Sequence, residues 1–112
     1  MFVRTKHCPA KQEKGYCVTA YNEDQNEGVI KVNDVPETIR DATTDDMNQC
    51  LRACRALKED ASKSKHYNLH VTGCEMIWGQ WNRGCYAHTN DVAKGTNVDR
   101  HMCWVLSKCI EG

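Results

Sequence analysis

The chain is short of aliphatic side chains. Leu, Ile, Val and Phe together number 18 of 112 residues, about 16 per cent, below the roughly 20 per cent under which chains are commonly disordered. Net charge is also lacking, with 15 basic and 15 acidic side chains. The charge half of the disorder signature is therefore missing, and so is the basic face that nucleic acid demands. No run of 18 apolar residues occurs, which excludes a membrane-spanning helix. No Asn-x-Ser/Thr sequon offers a glycan site. Met1-Phe2-Val3-Arg4-Thr5-Lys6-His7-Cys8 holds no apolar signal core. That leaves a start set by processing, or a piece of a longer chain.

Other absences bear on chemistry. Structural zinc sites favour close ligand pairs such as Cys-x-x-Cys, and none occurs; the closest pair is Cys50-x-x-x-Cys54. There is no Gly-x-Ser-x-Gly elbow, phosphate-cradling glycine loop or paired-carboxylate spacing. The acidic run Asn22-Glu23-Asp24-Gln25-Asn26-Glu27-Gly28 lacks the alternating ligands of an EF-hand and reads as a solvated loop. His66 and His70 would share one helix face, but Tyr67, Leu69 and Val71 alternate with strand period, which makes them surface histidines. His88 follows Cys85 by three and His101 precedes Cys103 by two. A cysteine nucleophile there needs a free thiol of low pKa, and an even cysteine count leaves none. The expectation is a protein without catalysis, cofactor or metal.

What is present is cysteine, eight of them. A small domain with too little core is commonly stapled by disulfides, each contributing roughly 2–4 kcal/mol. One such domain over residues 1–112, in an oxidising compartment, follows. Four of the cysteines and all three tryptophans lie in residues 71–109. There, residues 74–78 and 85–88 read as a hairpin whose tip is bracketed by Gly79 and Gly84, which permit positive φ. Residues 102–109 supply a third strand. Upstream, residues 16–21 resemble a strand, and Val29-Ile30-Lys31-Val32, ended by Pro36, reads as an edge strand. A helix follows. Thr44 can cap it, Asp45 and Asp46 suit its dipole, and Met47, Cys50, Leu51, Cys54 and Leu57 recur at helical spacing. Residues 89–100 are polar and too long for a tight connection, and long ordered loops tend to carry function.

Cys50-Leu51-Arg52-Ala53-Cys54, Cys74-Glu75-Met76-Ile77-Trp78 and Gly84-Cys85-Tyr86-Ala87-His88 together resemble the PAN/apple pattern over roughly residues 16–109. The strings of residues 81–89 and 101–105 are also similar to cysteine-rich domains of microalgal proteins. The resemblance implies an α+β disulfide-rich domain, a twisted antiparallel sheet with one helix packed across it. It implies the pairs Cys50–Cys85 and Cys54–Cys74 and a terminal pair, Cys17–Cys109, with Cys8–Cys103 as the remaining two. The 105 connectivities open to eight cysteines are not reduced by composition. Residues 55–73 form a longer segment than the pattern has before its third core cysteine.

Recognition is then the expected role. Trp81 stands at the hairpin tip beside Asn82 and Arg83, and Trp and Arg dominate interface hot spots. Either Trp81 meets a protein or carbohydrate partner, or it folds back over the small core as Trp78 and Trp104 do. His88, Asn90 and Lys94, on and beside the following loop, extend the candidate surface, with a disulfide-braced loop as the alternative. Two settings fit: an extracellular or cell-surface binding module, or an accessory subunit of a larger assembly, such as one on the thylakoid-lumen side of an algal photosynthetic complex.

Overall fold

Short runs of β-type and cysteine residues, buried on both faces, make the central strands, and cysteines set at helical spacing tie a helix to them. The computed structural model describes residues 6–21, 28–63, 70–108 and 110–111. The acidic loop, His66 and Cys109 lie outside them. The elements are β1 (Lys6–His7), β2 (Ala10–Lys14), β3 (Cys17–Val18), β4 (Val29–Asn33), α1 (Thr44–Lys63), β5 (Gly73–Ile77), β6 (Gly84–His88), β7 (Lys94–Gly95), β8 (His101–Leu106) and β9 (Ile110–Glu111). Five of them form an antiparallel sheet in the order β2-β8-β5-β6-β4. β1 pairs with β9, and β3 pairs with β7. The protein is a small α+β domain with one helix packed on an antiparallel sheet and disulfides through its core.

The two faces of the sheet are chemically different. Because side chains alternate, the registers place Cys74 and Met76, Cys85 and Ala87, and Trp104 and Leu106 on one face. These pack with Cys50 and Cys54 of α1, and with Val35 and Val71, as the main core. Trp104 is buried, and its indole Nε1–H donates to Gln12 Oε1 at 3.1 Å, so the one polar atom of the largest core residue is satisfied. The opposite face carries Gly73, Glu75, His88, His101 and Cys103. Over it lie β3 and β7, with Cys17, Val92 and Cys103 as a second, smaller core. Val92 packs directly on Gly73, where a Cβ would come within 2.8 Å of Val92 Cγ2. Glycine there admits the close approach of the second layer.

The helix begins one residue earlier than Thr44 would set it. Thr43 Oγ1 accepts from the N–H of Asp46 at 3.2 Å, and Asp46 Oδ2 accepts from the N–H of Thr43 at 2.9 Å. This is a reciprocal capping arrangement with Asp in place of Glu, so Thr43 is the cap and Thr44 the first helical residue. The helix continues past its last periodic apolar residue, Leu57, to Lys63.

Three bridges are described: Cys17–Cys103, Cys50–Cys85 and Cys54–Cys74. The latter two join α1 to β6 and to β5. Cys17–Cys103 replaces both the Cys17–Cys109 and the Cys8–Cys103 pairings. The reason lies in β2, a strand of polar residues ahead of Cys17. Its register sets Glu13 opposite Cys103. Cys8 therefore lies five residues further along, roughly 16 Å at strand rise. After β2 the chain turns at Gly15, and β3 crosses the far face with Cys17 over Cys103, Cα to Cα 5.2 Å. Cys8 is itself disulfide-bonded.

Candidate functional site

The β5–β6 connection spans residues 78–83 and reverses through positive φ at Gly79 (66°) and Asn82 (63°). Trp81, between them, is 90% exposed; it does not fold back. Trp78 is half-buried against the main core and Trp104 fully buried, so the three tryptophans divide as core, margin and surface. The tip is braced from an unexpected direction. Arg100, immediately before β8, donates from Nη1 to Gly79 O at 2.9 Å, and its carbonyl accepts from the N–H of Trp78 at 3.2 Å and from Gln80 Nε2 at 3.3 Å. Tyr86 Oη donates to Asn82 O at 2.8 Å and closes the other side. The exposed indole thus rises from a fixed loop.

Beside Trp81 is a shallow recess of about 570 Å³ lined by Glu37, Arg40, Gly79, Gln80 and Arg83. Arg83 Nη2 lies 3.7 Å from Glu37 Oε2 across it. An aromatic face, two guanidinium groups, a carboxylate and an amide converge on one open concavity. Such a surface can stack a flat apolar face on the indole and hold hydroxyl or charged groups with the remainder. Glu37 and Arg40 come from the turn before α1. No spacing in the chain links that turn to the hairpin, so its part in the site is invisible before the fold is known.

The second cluster of polar residues is internal. Glu75, 5% exposed, sits at the centre of the sheet under β3. Its Oε1 accepts from the N–H of Cys17 at 2.9 Å and lies 3.1 Å from His88 Nε2. Its Oε2 lies 3.2 Å from His101 Nδ1. A carboxylate only accepts, so His101 carries a proton on Nδ1. The His88 contact is close but off-axis, and neither ring nitrogen of His88 makes an aligned hydrogen bond among the described atoms. Burial pushes the Glu75 carboxyl up. The hydrogen bond from His101, the close His88 imidazole and the Cys17 N–H outweigh it and hold the group at about 2. Tyr16 stands edge-on to His101, ring centroids 5.7 Å apart. The cluster fastens the β3 backbone to the sheet.

His88 is therefore not a surface contact residue. It is 3% exposed, because β6 places it on the Glu75 face beneath the second layer. Lys94 belongs to β7, pairs with Val18 and is half-buried. Asn90 is exposed, its carbonyl accepting from Thr72 Oγ1. The segment of residues 89–100 is thus braced by strand pairing with β3, whose Cys17 bridges to Cys103, and only its outer residues face solvent. Of the six candidate contact residues, Trp81, Asn82 and Arg83 share the tip; His88, Asn90 and Lys94 do not join them.

Two groups of side chains have the geometry to hold a metal ion among the described residues: Cys50, Cys54, Cys74 and Cys85, and Cys17, Glu75 and His88. All these sulfurs are in disulfides. His70 is exposed. No described helix is long and apolar enough to cross a membrane. Comparison with protein-family models, curated proteins and solved structures finds no match.

Proposed function

We propose that the domain is a non-catalytic recognition module that takes a protein or carbohydrate partner on the Trp81 tip. The observation that carries this reading is the nearly complete exposure of Trp81 on a loop fixed by Arg100 and Tyr86, beside a recess of mixed charge. Exposing an indole costs apolar burial in a chain with little to spare, and Trp and Arg are among the residues enriched at contact hot spots. The disulfides fit an oxidising compartment. The extracellular space or cell surface is the setting we assign.

Docking as an accessory subunit, including one in a thylakoid lumen, calls for a broad apolar face. Among the described residues the exposed large apolar side chains are Tyr21, Trp81 and Val98, each on a different loop, which favours a local contact.

The test is binding of the oxidised protein to a glycan array and to extracellular protein preparations, with Trp81→Ala alongside. The substitution leaves stability within about 0.5 kcal/mol, as exposed positions do. It weakens the retained interaction by at least about 2 kcal/mol, roughly 30-fold. A partner held equally by the variant overturns the assignment of the tip.

A further inference from the structure

We propose that Cys50, Cys54, Cys74 and Cys85, once their two disulfides are reduced, form a tetrathiolate site for one zinc-type divalent ion. The four sulfurs come from three elements: two from one face of α1, one from β5 and one from β6. Across the two bridges, Sγ of Cys50 and Cys74 lie 3.7 Å apart, those of Cys54 and Cys85 3.9 Å, and those of Cys74 and Cys85 4.0 Å. A tetrahedron with zinc–sulfur bonds of about 2.3 Å has edges of about 3.8 Å. Three of the four distances between the bridges already match those edges, and all four sulfurs lie within 4.8 Å of one another. Only the two sulfur–sulfur bonds themselves have to open.

Thiol and ion are both provided for. As thiols, Cys50 and Cys54 have the carbonyls of Glu75 and Tyr86 as acceptors, and Cys74 and Cys85 share that of Cys50. A narrow recess of about 100 Å³ reaches Cys50 and Cys85, and Asp34 and Asp46 stand in its wall. It gives a cation an acidic approach to otherwise buried sulfurs. The two bridges are also what ties α1 to the sheet. A single ion touching all three elements replaces both ties, so the fold survives where disulfides do not.

The chemistry balances with a dithiol or phosphine as reductant. Each bridge takes two electrons and two protons to give two thiols. The four thiols then bind one divalent ion as thiolates and release four protons to solvent, leaving a complex of net charge −2.

The experiment reduces the whole protein with a phosphine under anaerobic conditions, removes the reductant and titrates Co²⁺, then Zn²⁺. One Co²⁺ per chain is expected, with the intense visible bands of tetrahedral cobalt and thiolate-to-metal charge transfer in the near ultraviolet. Equimolar Zn²⁺ abolishes both and restores the helical circular dichroism of the oxidised form. About four protons are released per ion in an unbuffered titration. The Cys17→Ser/Cys103→Ser variant keeps the full signal, which sets the site apart from Cys17, Glu75 and His88; Cys54→Ser and Cys74→Ser lose the four-sulfur spectrum. No saturation at one equivalent overturns the proposal even if the reduced chain unfolds, because an ion that completes the site drives its assembly. An unchanged spectrum in Cys54→Ser overturns it equally.

Discussion

Glu75 places a carboxylate in the middle of a sheet that has few aliphatic residues to cover it. Its neighbours answer for the cost, with a backbone N–H and two imidazoles around its two oxygens. The linkage to pH has a definite sign. The folded carboxyl titrates at about 2 against an ordinary 4.5. Its contribution is therefore whole above about pH 4.5 and is lost as pH falls through 2. The full difference is about 3 kcal/mol at 1.36 kcal/mol per pH unit. Urea unfolding of wild type at pH 7, 4.5 and 2 is expected to show that loss in the last interval, with a flatter profile for Glu75→Gln. Equal acid slopes in the two proteins contradict the assignment. Gly73 gives a second residue-scale test. Gly73→Ala drives a Cβ into Val92 and is expected to cost about 1–3 kcal/mol, as overpacking does. Val92→Ala restores part of that loss in the double variant.

At the scale of elements, what is legible in the chain depends on whether an element carries a periodic signal. α1 announces itself through Met47, Cys50, Leu51, Cys54 and Leu57, β5 and β6 through runs entered by Gly-Cys, and β8 through the β-type run Met102-Cys103-Trp104-Val105-Leu106. β2 is Ala10-Lys11-Gln12-Glu13-Lys14, half-exposed on the sheet edge, and has no apolar alternation to read. β3 and β7 are two residues each, too short for any period. The resemblance implies Cys17–Cys109 and leaves Cys8–Cys103, and neither can reflect the register of β2, which decides which cysteine faces Cys103. The Glu75–His88–His101 cluster is assembled by register across three strands and has no signature in spacing. The capping arrangement at Thr43 was within reach, because Thr43-x-x-Asp46 is a near variant of the usual box. Thr43→Ala is expected to cost about 1 kcal/mol and to lower helix content, read by far-ultraviolet circular dichroism and thermal unfolding.

The whole molecule is a sheet covered twice, by a helix through two bridges and by a two-strand flap through one bridge and an ionic cluster. The flap bridge spans 86 residues of sequence. Removing it as Cys17→Ala/Cys103→Ala is expected to cost up to about 4–5 kcal/mol from loop closure, less where other bridges already shorten the loop. Peptide mapping without reduction is expected to recover Cys17 linked to Cys103, in place of either to Cys8 or Cys109. Both coverings leave the β5–β6 tip outside, and the tip is where the molecule presents an indole to solvent.

The most direct measurement on that claim follows the three indole N–H resonances by nuclear magnetic resonance as a bound partner is titrated into the oxidised protein. The Trp81 signal is expected to move first and furthest, with Gln80, Asn82 and Arg83 following, while the buried Trp104 signal stays in place. A partner that shifts residues on β2 or the outer loop of residues 89–100 and leaves Trp81 unmoved contradicts the account.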